Sequence, residues 1–267
     1  MLFRSDAGGI VDPEGGRDDL AAGRVRLIRE GAFHEDPSRV VRAVRYAARL
    51  GFALDGPTEA AARAAAGEAS LQSSRVADEA RRMLGEDAAP VAVSMAEAIG
   101  LDWPDPDGER GHRLAALGPA LECPGAPDVS EWAMRLGLGV RQECVATAAV
   151  PQWARGVAAE ARRGLALAGA LPADTAPSQV DALLRDTPAA TQVGALVGGA
   201  DVVARWWRDW RDVRPQIGGS DLVAAGVAPG PAIGRALAAV RAAVLDGQVP
   251  DRDAQMALAL REAGVTG

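Results

Sequence analysis

The densest set of chemically capable side chains is His34-Glu35-Asp36-Pro37-Ser38-Arg39, extended by Arg42, Arg45 and Arg49. At about 100° per residue, the four arginines fall within about a third of a helix circumference. Val40, Val41, Val44, Ala47 and Ala48 take roughly the opposite side. Asp36 stands where an N-cap belongs and Pro37 where the first helical residue belongs. This places a carboxylate at a helix mouth and a ladder of guanidinium groups down one face. A stripe of this kind has two readings. One is a solvated, salt-bridged helix face. The other is a phosphate or nucleotide site, because like charges on successive turns repel unless an anion is shared among them, and planar guanidinium forks suit phosphates and base edges. The pattern by itself leaves both open.

The elements that must position this ladder start as extended and turn structure, Gly8 to Val11 followed by Asp12-Pro13-Glu14-Gly15-Gly16. Asp18 is placed to cap a short helix through Leu20 and Ala22. Val25 to Ile28 alternates apolar and basic residues, as a strand with one wet face does. From Asp36 onward the chain reads as helices, with no second convincing strand. Breaks fall at Gly51 to Pro57, Asp102 to Gly108, Cys123 to Asp128, Leu171 to Pro177 and Arg214 to Ser220. The Asp102–Gly108 segment is the most loop-like and marks a candidate boundary.

Composition narrows the function classes. With 267 residues, 48% of them hydrophobic, the chain can bury a sizeable core in two or three domains. Aromatics are only 4%, so small aliphatic side chains do most of the packing, and alanine-rich stretches favour helix. There is no lysine, and all 29 basic residues are arginine. A net charge of −7 argues against coating nucleic acid by bulk charge, though not against a local basic site. Cys123 and Cys144 are too far apart for a paired metal-binding motif and read as buried or idle thiols. His34 and His112 cannot furnish a His-rich metal site. No apolar run approaches ~18 residues and no signal pattern opens the chain, so a soluble cytoplasmic protein with no membrane partner is expected.

Three further signals have competing explanations. Arg205-Trp206-Trp207-Arg208-Asp209-Trp210-Arg211 interleaves aromatic and basic residues as an RNA-stacking platform does. A helix packing its indoles into a core is the preferred reading. Gly230-Pro231, with Gly234 and Arg235 just beyond, stands at an expected helix start whose amides could hold an RNA phosphate. A tight helix–helix turn explains the same residues. Trp103, Trp132 and Trp153 are expected in the core. Asp105 and Asp107 have DxD spacing but lie in a Pro-rich stretch and read as loop residues.

Two motifs carry a family resemblance. Asp12-Pro13-Glu14-Gly15-Gly16-Arg17-Asp18-Asp19-Leu20 resembles the DPxGGxxDL motif that closes the catalytic head of class II tRNA nucleotidyltransferases, a group that includes CCA-adding enzymes and bacterial poly(A) polymerases. Glu35-Asp36-Pro37-Ser38-Arg39 with Arg42 and Arg45 resembles the family's EDxxRxxRxxR motif. Ala48-Arg49-Leu50-Gly51-Phe52, then Asp55 and Thr58, follow the same family. Ser74-Arg75 with Glu79 and Leu84 is similar to its next helix. Gly219, Asp221-Leu222, Gly226, Gly230-Pro231, Gly234 and Asp246-Gly247 are similar to the tail of many bacterial members. Nothing between Gly85 and Arg214 matches.

The resemblance implies a mainly α fold, with a small α/β remnant of a nucleotidyltransferase head (1–30) followed by a helical neck (31–101), body (102–213) and tail (214–267). It implies nucleotide binding by Glu35, Asp36, Arg39, Arg42 and Arg45. Asp36 and Arg39 would act as a protein template for the base, and Glu35 would orient the arginine. It implies weaker RNA contacts at Gly230, Pro231, Gly234 and Arg235, CTP and ATP as substrates, and the 3′ end and acceptor stem of tRNA as partner. The family's head holds Mg²⁺ with a DxD pair beside a Gly-rich loop, and nothing before Asp12 supplies either. The expectation is therefore an N-terminally truncated chain with no catalytic residue of its own, inactive in transfer. A poly(A) polymerase fragment and a non-catalytic helical RNA-binding module are the alternatives.

Overall fold

The computed structural model describes residues 3–4, 10–104 and 108–265. Gly8, Gly9, Asp105 and Asp107, which the extended-start and loop readings involve, lie outside them. The described residues pack as two compact units, one drawn from 1–119 and 128–162, the other from 120–127 and 163–267.

The first unit opens on two short ribbons. β1 (Phe3–Arg4) pairs antiparallel with β2 (Ile10–Val11), Phe3 opposite Val11. β3 (Arg24–Val25) pairs parallel with β4 (Ala53–Leu54), Arg24 opposite Ala53. The strand expected over residues 25–28 is thus limited to its first residue and the one before it. A further strand lies beyond Asp36, contrary to expectation, because a two-residue strand is too short to show an alternating pattern. The helices of this unit are α1 (Gly16–Ala21), α2 (Ala32–Glu35), α3 (Ser38–Leu50), α4 (Gly56–Ala65), α5 (Ser74–Leu84), α6 (Ala89–Ala98), α7 (Arg110–Leu121), α8 (Glu131–Gly139), α9 (Gln142–Thr147) and α10 (Gln152–Ala168). The last residues of α7 and α10 belong to the second unit.

The mainly α reading holds, and α3 shows why. Val40, Val41, Val44 and Ala47 are fully buried, so the apolar side read from a 3.6-residue period faces the core against α5 and α6. Each valine so buried contributes roughly 1.5–3 kcal/mol. The helix ends at Gly51, whose φ of +67° is strained for other residues, and Phe52 N–H closes the turn on Ala47 O at 2.8 Å. α5 packs on α8, where Arg135 donates through Nη1 to Leu84 O and Glu86 O, both at 2.8 Å. The candidate boundary at 102–108 therefore does not separate the packing units: α8 and α9, which follow it, belong with the helices before it.

Two local expectations are corrected here. The cap of α1 is Asp12, not Asp18: its carboxylate accepts from Gly16 N–H (2.7 Å) and Arg17 N–H (2.8 Å). Asp18 lies within the first turn of the helix itself, past the N-cap position from which a side chain can reach back over the open amides. Trp103 is buried, but Trp153 is 54% exposed and meets Trp132 edge-on with centroids 5.4 Å apart. Its first-turn position on α10 points it outward.

The second unit contains α11 (Pro177–Leu184), α12 (Ala189–Val197), α13 (Val202–Arg205) running into a wide π turn (Trp206–Trp210), α14 (Gly219–Ala224), α15 (Pro231–Leu245) and α16 (Arg252–Glu262). Gly164, near the end of α10, lies so close to α12 that an added Cβ would stand 2.2 Å from Thr191 O. Trp206 and Trp207 are buried, each 2% exposed, as the core reading requires. Trp206 Nε1 donates to Asp181 and Trp207 Nε1 to Gln192, at 2.9 and 2.8 Å. α14, α15 and α16 close a separate small core of Ile217, Leu222, Val227, Ala236, Val240 and Ala259.

Candidate functional site

The arginine ladder on α3 is answered largely from within the protein. Arg42 donates to Glu79 Oε1 through Nη2 at 2.7 Å and Nε at 3.1 Å. Arg45 donates to Glu79 Oε2 at 3.3 Å and to Glu86 Oε1 at 2.6 Å, with Arg49 3.8 Å from the same Glu86 oxygen. Arg45 and Glu79 are buried, with side chains 8% and 3% exposed. Arg45 and Arg49 also stack over the Tyr46 ring, 4.5 and 4.8 Å from its centroid. The shared anion that spacing demanded is thus a pair of carboxylates 34 to 41 residues further along the chain. Glu79 is the key positioning residue, and sequence reasoning had only its match to the family's next helix to suggest it.

The upper end of the ladder is held more loosely. Asp36 is extended (φ −148°) and follows α2. Its Oδ1 accepts from Ser38 Oγ (2.6 Å) and Ser38 N–H (3.2 Å), so it caps the start of α3 as expected, although Pro37 is the residue just outside the helix. The Ser38 hydroxyl bond, more than any charge, holds the Asp36 carboxyl below its ordinary value. Among the described residues Asp36 Oδ2 meets Arg75 at 3.5 Å and Arg39 at 3.9 Å. Arg39 is 41% exposed and donates Nη1 to Ala32 O at 3.1 Å, and its other N–H groups make no hydrogen bond among the described residues. Glu35 is bound by both terminal nitrogens of Arg29, which hold its carboxyl below the usual value, and stands 3.8 Å from Arg39.

The helix faces a cleft of about 1110 Å³ with four guanidinium groups in its wall: Arg26, Arg29, Arg39 and Arg42. Leu27, Ile28, Phe33 and Tyr46 supply an apolar side. A basic rim around apolar surface suits a phosphorylated aromatic ligand. Of the five residues expected to hold nucleotide, Arg39 and Arg42 line this cleft. Glu35 reaches it through Arg29, Asp36 flanks Arg39, and Arg45 is turned away into its carboxylates.

The first motif explains how Arg26 is aimed. Asp19 accepts from Arg24 Nε at 2.6 Å and from Arg26 Nε through both oxygens at 3.1 Å, which lowers its carboxyl below the ordinary value. Asp55 caps α4 through Thr58 N–H at 2.9 Å, and the buried Thr58 hydroxyl accepts from Leu27 N–H at 2.6 Å. Arg26 and Arg29, unsuspected as cleft residues, stand on the short stretch between β3 and α2; the alternation over residues 25–28 marked Arg26 only as the wet face of a strand, and no recognised motif marks Arg29.

Among the described residues no three Asp, Glu, His or Cys side chains converge to hold a metal ion. In the second unit, Gly230, Pro231, Gly234 and Arg235 stand at the start of α15, with Pro231 in its first turn. Cys123 and Cys144 are not joined in a disulfide, and burial pushes the Cys144 thiol up. No described helix is long and apolar enough to cross a membrane.

The chain is 45% identical over 91 residues to the multifunctional CCA protein of Thioalkalivibrio sulfidiphilus (strain HL-EbGR7), covering 32% of this chain and 22% of that one. It is 57% identical over 53 residues to the multifunctional CCA protein of Nitrosomonas europaea, 20% of this chain and 13% of that one. The chain thus matches about a fifth or less of these relatives' length. The Thermotoga maritima CCA-adding enzyme in complex with tRNA superposes with a TM-score of 0.77 at 18% identity, over 95% of this chain and 68% of that one. A CCA-adding enzyme complexed with CTP superposes at 0.75 and 19% identity, over 97% and 68%. At these identities the likeness is one of fold. No protein-family model matches the chain.

Proposed function

We propose that this chain, related in sequence and in fold to the CCA-adding tRNA nucleotidyltransferases, is the base-reading and RNA-holding portion of a protein that adds CCA to tRNA 3′ ends from CTP and ATP. The observation that carries the reading is the pair Asp36 and Arg39, side by side at the mouth of α3, each with hydrogen-bonding capacity left over, beside an arginine-lined cleft.

Cytosine and adenine each present an amino donor beside a ring-nitrogen acceptor on the pairing edge. Asp36 Oδ2 accepts from the amine and an open Arg39 N–H donates to the ring nitrogen. Guanine and uracil present a carbonyl and an N–H there, so the same pair would meet acceptor with acceptor and donor with donor. A buried mismatch of this kind rejects strongly. Arg42 keeps one edge on Glu79 and offers the other to the nucleotide, with Arg26 and Arg29 placed for its phosphates. Arg45 acts through its carboxylates, holding α3 against α5. Residues 31–101 are the neck in this scheme and 214–267 the tail that holds tRNA, with Gly230, Pro231, Gly234 and Arg235 at a phosphate. The reaction uses Mg²⁺, held by carboxylates other than those described, and takes place in the cytoplasm.

Equilibrium dialysis of labelled CTP and ATP against the full chain tests this. Saturable binding of both, lost in Arg39→Ala and accompanied by slowed amide exchange over residues 38–46, is the expected result. Binding of all four triphosphates alike, untouched by Arg39→Ala, would remove the template role.

A further inference from the structure

The run Arg205–Arg211 is only partly absorbed by the core. Trp206 and Trp207 are adjacent in sequence, yet both are buried. They lie on a wide turn: Arg211 N–H reaches back five residues to Trp206 O at 2.8 Å, opening one extra position in the helix. The outer side of the turn then carries Arg205, Arg208 and the half-buried Trp210. Arg205 lies over the Trp210 ring with its guanidinium carbon 4.9 Å from the centroid.

We propose that the Arg205–Trp210 stack is an RNA-backbone contact, a phosphate-binding platform separate from the nucleotide cleft. It rests on the RNA-holding role in the proposed function. Three observations support it. Arg205 is exposed and, among the described residues, carries no ion pair, whereas Arg208 is taken by Asp209 at 2.9 Å and Arg211 is 3.9 Å from Asp212. Residues 205–212 hold three arginines against two carboxylates, Asp209 and Asp212, so this turn keeps one net positive charge in a chain of net charge −7, with Arg205 acting on Asp209 only through space. A guanidinium laid on an indole keeps its N–H edge outward, in the plane that suits a phosphate. The base beneath it is also rigid. Arg241 Nη2 donates to Trp210 O (3.2 Å) and Arg211 O (3.0 Å), Arg211 Nη1 donates to Gly125 O (3.0 Å), and the two buried indoles are pinned by Asp181 and Gln192. A pre-ordered cation loses little freedom on binding.

Fluorescence anisotropy of end-labelled tRNA lacking its terminal CCA, titrated with the full chain over a salt series, reads this contact. Arg205→Ala should weaken binding by about 5- to 10-fold and lower the salt slope by about one. Arg205→Glu should weaken it further, Arg205→Lys should fall between, and Arg208→Ala should change it less than about twofold because its charge is already matched. CTP binding in dialysis should be unchanged in all four, which separates failure of the platform from failure of the nucleotide reading. The proposal is overturned if Arg205→Ala binds tRNA as wild type does, or if the wild-type chain binds CTP but no tRNA. It is also overturned if polyglutamate competes as well as tRNA, which would indicate an acidic protein partner. Displacement by millimolar inorganic phosphate at constant ionic strength would overturn it too, reducing the site to one for small anions.

Discussion

Replacing Glu79 with glutamine keeps the shape of the side chain and removes the charge that the α3 arginines share. Glu79 is 3% exposed and accepts from Arg42 at 2.7 Å, Arg45 at 3.3 Å and Arg82 at 3.4 Å. The half-exposed Arg42 and Arg82 lose at most about 1 kcal/mol each when their partner becomes neutral. Arg45 decides the outcome, because its side chain is 8% exposed and cannot turn to water. Removing one partner of a fully buried pair costs roughly 3–5 kcal/mol. Arg45 keeps Glu86 at 2.6 Å, so the cost falls at or below the lower end of that range, about 2–3 kcal/mol. Hydrogen exchange read by mass spectrometry on peptides spanning α3 measures the loss locally. At about 1.4 kcal/mol per decade, exchange of the Val44–Ala48 amides should accelerate by roughly two decades in Glu79→Gln. Arg42→Ala should accelerate it less than about fivefold. A change below about threefold in Glu79→Gln would refute the claim that Glu79 organises the ladder.

Asp181 accepts from Arg241, Arg185 and Trp206, which together outweigh burial and hold its carboxyl down to about 2 from an ordinary 3.8. Because the folded value is the lower one, its contribution of roughly 2 kcal/mol is complete above about pH 4 and lost as pH falls from about 4 towards 2. Acid titration of the indole fluorescence of Trp206 and Trp207 should show a transition in that window, absent in Asp181→Asn, and an unchanged transition would refute the assignment. Gly164→Ala would set a Cβ 2.2 Å from Thr191 O and should cost about 2–3 kcal/mol, seen as a melting temperature lower by several degrees. An unchanged melting temperature would mean that α10 and α12 are not packed this closely.

What the sequence disclosed and what it hid divide along the range of the interactions. The burial of Val40, Val41, Val44 and Ala47, the cap at Asp36 and the stop at Gly51 are local and follow from periodicity and turn chemistry. The same periodicity put Arg42 and Arg45 on one stripe, yet one lines a cleft and the other is buried on two carboxylates. That difference is set by α5 and the residue just beyond it, and no local pattern reports which distant element will pack there. Whether Asp12 or Asp18 caps α1 depends on the shape of the turn between them, which residue types alone do not fix. Two-residue strands such as Ala53–Leu54 leave no period, and Trp153 shows that an aromatic residue's type does not settle its depth. Trp206 and Trp207 are buried on a wide turn, which composition does not signal.

The central claim is that Asp36 and Arg39 read the pairing edge of the incoming base. It is tested most directly by the ratio of CTP affinity to UTP affinity in wild type and Asp36→Ala, measured side by side by equilibrium dialysis. Loss of one charged hydrogen bond costs roughly 1.5–3 kcal/mol, so the ratio should fall by about one to two decades in the variant. If Asp36→Ala weakens both nucleotides by the same factor and leaves the ratio intact, Asp36 is a helix cap alone and the base-reading account is wrong.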